Sequence, residues 1–388
     1  MNMQKSFLPS PIPRLILVML SLGLTLGCSK DETDPLPGFP EVQVTAFGNT
    51  GSEEIQMEVG SEGRDPIIIS LTDELGLQGL PFFRRDITNT SVAYYFWQDQ
   101  RSAALYKDLG SGNVFTVEDI CGFSSEDDVS KSILRVSGNE AYVVMAYVEY
   151  PDGAPPRFSL RILEKASGNC RGLEVPEVNT SGIENYSIEG SLMALYYLEE
   201  GTGNPLITLI DLDSGTTGET LILDPGFQAA TFRGTELWIF NKDDSYVVYN
   251  ALTGNFTASG AAPGLPAQGP GMFESRFEGN RLLVNNIYQQ PSLFFAQPAL
   301  YDFDLGELSE GAAPFLPELQ ERVELETGDR VLFGKFAVDL TTGTLALVYV
   351  RGNGAAEGGV VLTNFRREWL RVIPLPYVPE ELEIRQVR

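Results

Sequence analysis

The sequence contains no histidine, and this absence removes several classes of mechanism. A Ser-His-Asp or Cys-His relay, a histidine general base and a histidine-ligated zinc site are all excluded. No other side chain has an unperturbed pKa near 7. Most common hydrolase chemistries are therefore closed to this chain, and we assign no catalytic residue, no metal ligand and no cofactor.

Positive charge is also scarce, since 27 Lys and Arg residues stand against 53 Asp and Glu residues and the formal net charge is −26. Proteins that bind nucleic acid or acidic lipid surfaces need Lys and Arg to neutralise phosphates, so a chain this acidic would be repelled. The composition argues against a nucleic-acid partner and favours a cationic or neutral one.

The apolar run near the N-terminus is too short to cross a bilayer. It covers residues 15–27, and Lys5 and Arg14 are the only charges before residue 30. A short apolar run behind a positive charge is typical of a secretory signal peptide. We therefore predict a signal peptide over residues 1–27.

The end of this run, Leu24-Thr25-Leu26-Gly27-Cys28, resembles a bacterial lipobox, although Thr25 stands where that family usually has Leu. The resemblance implies a diacylglycerol on Cys28, and an ordinary signal peptide with a chance cysteine is the alternative. The next residues resemble the export signal of Bacteroidota surface lipoproteins, namely Ser29, Lys30, Asp31 and Glu32. This resemblance implies an outer-membrane, cell-surface location, with the inner leaflet as the alternative. Residues 28–40, rich in proline, indicate an extended tether before a body over residues 41–388.

Cysteine is rare, and lipidation of Cys28 leaves only Cys121 and Cys170. An even pair in an oxidising compartment favours one disulfide, and two separately buried thiols are the alternative.

The body lacks a convincing long amphipathic helix and consists of short β-rich runs broken by Gly, Asn, Asp and Ser. Several runs are apolar on both faces, which requires a sheet covered on both sides. One turn marker opens an apolar strand at Gly138, Gly190, Gly234, Gly279 and Gly328. A second, in hairpins, contains Gly112, Gly168, Gly215, Gly254, Gly306 and Gly343. Both recur about every 47 residues.

A repeat of this length with two strand pairs is the period of a β-propeller blade. We predict an all-β body in the form of a β-propeller, in which seven blades fit the length and six or eight are alternatives. The rival fold is a pair of β-sandwiches, whose turns recur at much shorter spacing. The turns resemble those of divergent propellers, including quinoprotein-like and YncE-like repeats. Because the WD40, kelch and sialidase signatures are missing, the resemblance implies no activity.

Two local features are candidates for function. Asp211 and Asp213 precede Gly215 at a spacing that can hold calcium, but a full calcium loop needs more acids, so we interpret them as hairpin residues. Phe294 and Phe295 lie in a loop between Pro291 and Pro298 and are candidates for an exposed contact to protein or sugar.

These features predict a non-catalytic surface lipoprotein, anchored through Cys28, that serves as a binding platform or as an accessory subunit of an outer-membrane protein assembly. Its partner would be an outer-membrane protein or a glycan. The alternative is a carbohydrate-active enzyme, a glycosidase or lyase that uses carboxylates, Tyr and Arg without histidine. That alternative predicts an acid pair beside an Arg in a deep axial cleft.

Overall fold

A computed structural model describes residues 41–60, 65–77, 82–88, 90–98, 101–116, 121, 130–176, 178–268, 271–272, 277–289, 291–352 and 357–386. In this part of the chain, 28 strands form seven four-stranded antiparallel sheets, which are the blades of a β-propeller. The predicted all-β fold and the predicted seven blades are both confirmed. The signal peptide and the tether, residues 1–40, lie outside the described residues.

Blade 1 closes the ring, because it takes one strand from the C-terminal end of the chain. Strand β28 (Pro379–Gln386) pairs with β1 (Val42–Asn49), and β2 (Glu54–Gly60) and β3 (Ile67–Ser70) complete the sheet. Gly48 lies where β1 meets the segment before β28, and a Cβ there would collide with the ring of Tyr377.

Blades 2 to 7 each use four consecutive strands, numbered outward from the propeller axis. Blades 2 to 4 contain β4 (Phe82–Ile87), β5 (Ser91–Gln98), β6 (Arg101–Asp108), β7 (Val114–Thr116), β8 (Ser130–Gly138), β9 (Tyr142–Tyr150), β10 (Arg157–Glu164), β11 (Cys170–Val175), β12 (Val178–Glu189), β13 (Leu192–Glu199), β14 (Pro205–Asp211) and β15 (Thr216–Ile222). Blades 5 to 7 contain β16 (Phe227–Arg233), β17 (Glu236–Asn241), β18 (Ser245–Asn250), β19 (Phe256–Ala261), β20 (Phe277–Glu278), β21 (Arg281–Ile287), β22 (Ala296–Asp302), β23 (Glu307–Glu310), β24 (Val331–Asp339), β25 (Thr344–Arg351), β26 (Gly358–Asn364) and β27 (Leu370–Leu375).

The hydrophobic core lies between the blades, where neighbouring sheets pack face to face. Second strands such as β9 and β13 are buried on both faces, which explains their continuous apolar runs. In β5, Tyr94 packs toward blade 1 and Tyr95 toward blade 3, because successive strand residues point to opposite faces. Fourth strands such as β15 are largely exposed at the rim.

The two ends of the propeller differ in their connections. The turn face is the end of the propeller that holds two kinds of turn in each blade: those between the first and second strands, and those between the third and fourth strands. We call loop face the opposite end, which holds the remaining connections. On the turn face, Gly190, Gly234 and Gly279 take positive φ values of 57°, 58° and 57° in two-residue hairpins, where a first glycine is typical of a type II′ turn.

The hairpin marker is also confirmed as a turn on the turn face. In all six hairpins the glycine N–H donates to the carbonyl four residues earlier at 2.8 Å. Five of them join third and fourth strands, whereas Gly343 joins the first two strands of blade 7. Gly328, predicted as a turn of the other kind, instead ends a helix with φ 74°.

That helix corrects the prediction of a body without a long amphipathic helix. Helix α1 (Leu71–Glu74) is a single turn, but α2 (Leu316–Thr327) spans 12 residues between blades 6 and 7. It buries Leu316, Leu319 and Val323, which share one helix face. The spacing was visible in the sequence, but acidic residues fill the remaining positions and weaken the pattern.

Candidate functional site

A cleft of about 450 Å³ opens on the turn face between blades 2, 3 and 4, near the propeller axis. We call it the turn cleft. It is lined by Thr88, Thr90, Arg135, Ser137, Gly138, Asn139, Glu140, Ala141, Tyr186, Ser187, Ile188, Glu189 and Gly190. These residues belong to the first strands and the first turns of three consecutive blades, so the ring places similar positions of the repeat side by side.

Hydrogen bonds across the blades hold the walls of the turn cleft in place. Ser137 Oγ donates to Tyr186 Oη at 2.8 Å and joins blade 3 to blade 4. Asn139 Nδ2 donates to the carbonyl of Gly190 at 2.7 Å, and Thr90 Oγ1 donates to the carbonyl of Gly138 at 2.6 Å. The cleft is therefore formed before any ligand arrives.

The residues that line the turn cleft include one arginine and two glutamates. Arg135 lies 4.8 Å from the centre of the Tyr186 ring, and its Nε is 3.8 Å from Asp86 Oδ2. Glu140 is exposed at the rim, whereas Glu189 is half-buried. Burial raises the pKa of Glu189 above its usual value. The lining thus has two glutamates to one arginine, and the arginine already has an acidic neighbour.

A second charged cluster lies where the ring closes. Arg85 donates to Glu54 Oε2 at 2.5 Å and to Glu380, while Tyr94 Oη donates to Glu54 Oε2 at 3.1 Å. This is an acid pair beside an Arg, as the enzyme alternative requires, but Glu54 is only 4% exposed and both acids contact the same guanidinium. The arrangement joins blades 1 and 2 and leaves Glu54 closed to solvent.

The loop between β21 and β22 presents apolar side chains on the loop face. Leu293 is 88% exposed and Phe295 is 77% exposed, and we call these two residues the loop patch. Phe294 is half-buried, with its ring 5.6 Å from Tyr288 and 6.5 Å from Phe333 between ring centres. Of the two predicted residues, only Phe295 is exposed enough to contact a partner. Leu293 is exposed as well, although nothing in the sequence pointed to it.

The other predicted site residues have different outcomes. Cys121 and Cys170 form a disulfide with 5.1 Å between their Cα atoms, as predicted. Cys28 and the export-signal residues Ser29, Lys30, Asp31 and Glu32 lie outside the described residues. The lipidation and export predictions therefore stay predictions.

Asp211 behaves as a hairpin residue. Its carboxylate accepts from the Asp213 N–H at 2.9 Å and from Ser214 Oγ at 2.9 Å, and Asp213 accepts from Tyr142. Among the residues that the structure describes, no group of three or more Cys, Asp or Glu side chains is placed to hold a metal ion. In the same residues, no helix has both the length and the apolar character that a membrane crossing needs.

No protein-family model and no curated protein matches the chain. Among solved structures, it is similar to the β-propeller domain of the Trilobed protease from Pyrococcus furiosus, with 10% identity, coverage of 86% of this chain and 94% of that chain, and a TM-score of 0.50. It is also similar to a putative 6-phosphogluconolactonase from Bacteroides uniformis, with 11% identity, coverage of 89% and 99%, and a TM-score of 0.45. At such identities the likeness to the protease domain shows the β-propeller fold and nothing about activity.

Proposed function

We propose that the chain is a non-catalytic, lipid-anchored binding platform of the outer membrane, and that it binds a protein partner through its loop face. The observation that carries this proposal is the exposure of Leu293 and Phe295 on a loop whose neighbouring residues are fixed. Burying a Leu or Phe side chain contributes about 1.5–3 kcal/mol, so two such residues form a useful anchor.

The loop patch is held in place before binding. The Tyr288 N–H donates to the Phe295 carbonyl at 2.9 Å, and the Phe294 N–H donates to Ser292 Oγ at 3.0 Å. The Phe294 ring packs against Tyr288 and Phe333. A partner would therefore not have to order this loop, which removes part of the entropic cost of association.

Charge around the loop patch indicates what kind of partner fits. The Leu316 N–H at the start of α2 donates to Tyr288 Oη at 3.3 Å, so the helix begins beside this loop. Helix α2 contains four Glu residues and one Arg, and its Leu325 is 86% exposed. A second copy would bring the same negative charge, so we propose a different protein with an apolar pocket rimmed by Lys and Arg.

The resemblance of Cys28 to a lipidation site and of residues 29–32 to an export signal supports the membrane part of the proposal. A lipid anchor would keep the chain at the membrane surface, so a partner in the same membrane would meet it at high effective concentration. An outer-membrane protein therefore fits the proposal better than a free soluble one.

The test is a pull-down of the tagged, full-length, lipidated protein from its native membrane in mild detergent. The Leu293→Ser/Phe295→Ser double variant removes the loop patch. The matched control is Leu305→Ser, since Leu305 is 64% exposed in the same blade but on the turn face. We expect one stoichiometric partner with the wild type and with the control, and its loss with the double variant. Retention of the partner by the double variant, or recovery of no partner, would overturn the proposal.

A further inference from the structure

We propose that β19, the outer strand of blade 5, binds an extended segment of another protein as a fifth strand of its sheet. β19 (Phe256–Ala261) is the last strand in the order β16-β17-β18-β19. Among the described residues, no backbone hydrogen bond joins it to any strand except β18. Its outer edge therefore presents the N–H and C=O groups of alternate residues to solvent, and an extended peptide can pair with them. This surface is separate from the loop patch, which lies on the loop face of blade 6.

The outer strands of the other blades are protected against such pairing, whereas β19 is not. Strands β3, β7 and β23 contain only three or four residues. Strands β11, β15 and β27 are at least as long as β19, but each contains a charged residue. Short length and charge both hinder the addition of a strand. β19 has six residues, none of which is charged or proline, and all except Gly260 are exposed.

Two exposed apolar side chains stand at the start of this edge. Phe256 and Leu252 are each 59% exposed, and the Phe256 ring meets the Tyr249 ring edge-on at 6.2 Å between ring centres. The turn before β19 is fixed, since the Leu252 N–H donates to Asn250 Oδ1 at 3.0 Å and the Gly254 N–H donates to the Asn250 carbonyl at 2.8 Å. An apolar side chain of an added strand would pack against Phe256 and bury surface that is now exposed.

Negative charge flanks both ends of the uncharged edge. None of the residues 245–273 is charged, although 21% of the whole chain is. At the start of β19, the Glu219 side chain of blade 4 lies against Gly254, where a Cβ would collide with it. At the other end, the Ala262 N–H donates to the Asp244 carbonyl at 2.7 Å. Asp244 follows one Lys and one Asp, so this turn has a net charge of −1.

These charges indicate which strand fits the edge. If two copies of the chain paired through β19 in antiparallel fashion, Glu219 of each copy would approach Asp244 of the other. In a parallel pair, each of these acids would approach its own counterpart. Like charges beside each other are destabilising, so a second copy is disfavoured. A segment that is uncharged in its centre and has Lys or Arg at both ends would instead face opposite charges.

A synthetic strand tests the proposal. The probe is a fluorescent peptide with three Thr-Val repeats between two lysines at each end, and fluorescence anisotropy measures its binding to the full-length protein in detergent. Its Kd should be at least about tenfold lower than that of the same peptide with glutamates in place of the lysines. Methylation of the amide nitrogens in the Thr-Val repeats should abolish binding, because the peptide then loses the N–H groups that pair with β19.

Matched variants and hydrogen exchange locate the bound peptide. Ala258→Lys places a charge on the edge and should raise the Kd by at least about tenfold. Thr217→Lys makes the same charge change on an exposed residue of β15 and should alter the Kd by less than about twofold. In the wild type, the peptide should slow amide exchange in residues 256–262 and leave residues 216–222 unchanged. This last measurement does not depend on the stability of either variant.

Several outcomes would overturn the proposal. They are no saturable binding at about 1 mM peptide, equal losses in Ala258→Lys and Thr217→Lys, and slowed exchange elsewhere than in β19. Self-association of the free protein that Ala258→Lys abolishes, measured by analytical ultracentrifugation, would assign the edge to a second copy instead. The Leu293→Ser/Phe295→Ser variant should bind the peptide like the wild type, so a failure of the loop patch is distinguishable from a failure here.

Discussion

Lys165 and Asp108 connect the outer turns of blades 3 and 2 on the turn face. The Lys165 ammonium donates to Asp108 and to the Asn139 carbonyl at 2.8 Å, and Asp108 also accepts from the Ser111 N–H at 2.8 Å. Burial raises the pKa of Asp108, but the hydrogen bonds from Lys165 and Ser111 outweigh it, so the pKa lies below its usual value.

This pair predicts a pH-dependent loss of stability in Lys165→Met. At pH 7 the variant should lose about 1–3 kcal/mol in the free energy of unfolding, because it leaves a mostly buried carboxylate without its cation. Since the folded-state pKa is depressed, the contribution is present above the unfolded pKa of about 3.9 and is lost as the pH falls through the folded value. Urea unfolding of both proteins at pH 7 and pH 3 checks this. A difference that stays constant between the two pH values would contradict the assignment.

Single residues also show what the sequence could predict. The disulfide followed from counting cysteines together with the prediction of export, and an exposed aromatic side chain in the loop of Phe294 and Phe295 followed from the flanking prolines. The sequence could not predict which of the two rings points outward, because this depends on local hydrogen bonds and on the packing of Phe294 against Tyr288. The turn cleft was not predictable either. Thr88, Asn139 and Glu189 are about 50 residues apart, and only the closed ring brings them together.

At the scale of elements, the disulfide ties the connection after blade 2 to the outer strand of blade 3. Cys121 and Cys170 are 49 residues apart, and closing a loop of that length contributes about 4 kcal/mol in the chain-entropy model. The double variant Cys121→Ser/Cys170→Ser should lower the free energy of unfolding by about 2–4 kcal/mol. Urea titration measures the loss, and addition of a reductant should destabilise the wild type but leave the double variant unchanged.

Helix α2 contains one buried and one exposed leucine, whose contributions to stability can be compared. Leu319 is fully buried against blade 7, whereas Leu325 on the same helix is 86% exposed. Leu319→Ala should lower the free energy of unfolding by about 2–5 kcal/mol through the cavity it leaves, and Leu325→Ala should change it by less than about 0.5 kcal/mol. Similar losses in the two variants, measured by thermal or urea unfolding, would contradict the packing of α2.

The repeat can be recognised from the sequence because the hairpin turns of different blades require the same backbone conformation. A positive φ at the hairpin glycine and its bond to the carbonyl four residues earlier recur in blade after blade. Gly328 and Gly343 fit the same spacing for different reasons, since one ends a helix and the other is in the first turn of blade 7. Glycine spacing therefore gave the blade count correctly, while the identity of individual turns needed the strand order.

At the scale of the whole molecule, closure of the ring depends on strands from both ends of the described chain. Two closures are compatible with the sequence, since residues 370–374 could join the first blade or residues 41–46 could complete the last. In the structure β27 (Leu370–Leu375) remains the outer strand of blade 7, and β28 supplies blade 1 with its inner strand. Short apolar strands with similar patterns cannot be ordered by sequence alone, because pairing depends on geometry around the ring.

Ion pairs stabilise this closure. Arg85 contacts two acids, Glu54 and Glu380, and its own side chain is only 12% exposed. Arg85→Met should lower the free energy of unfolding by about 3–5 kcal/mol, because Glu54 would remain buried without its cation. The matched control is Arg157→Met, since Arg157 and Glu174 are 49% and 55% exposed and 3.6 Å apart. That variant should lose less than about 1 kcal/mol. Equal losses would show that the pair with Glu54 does not stabilise the ring.

The central claim, that the loop face binds a membrane partner, is tested most directly by site-specific cross-linking in intact cells. A photoreactive phenylalanine analogue is placed at Phe295, and at Leu305 on the turn face as the control. Immunoblotting and mass spectrometry then identify what is attached. The account predicts one discrete adduct with an outer-membrane protein from position 295 and none from position 305. No adduct from either position, or the same adduct from both, would contradict it.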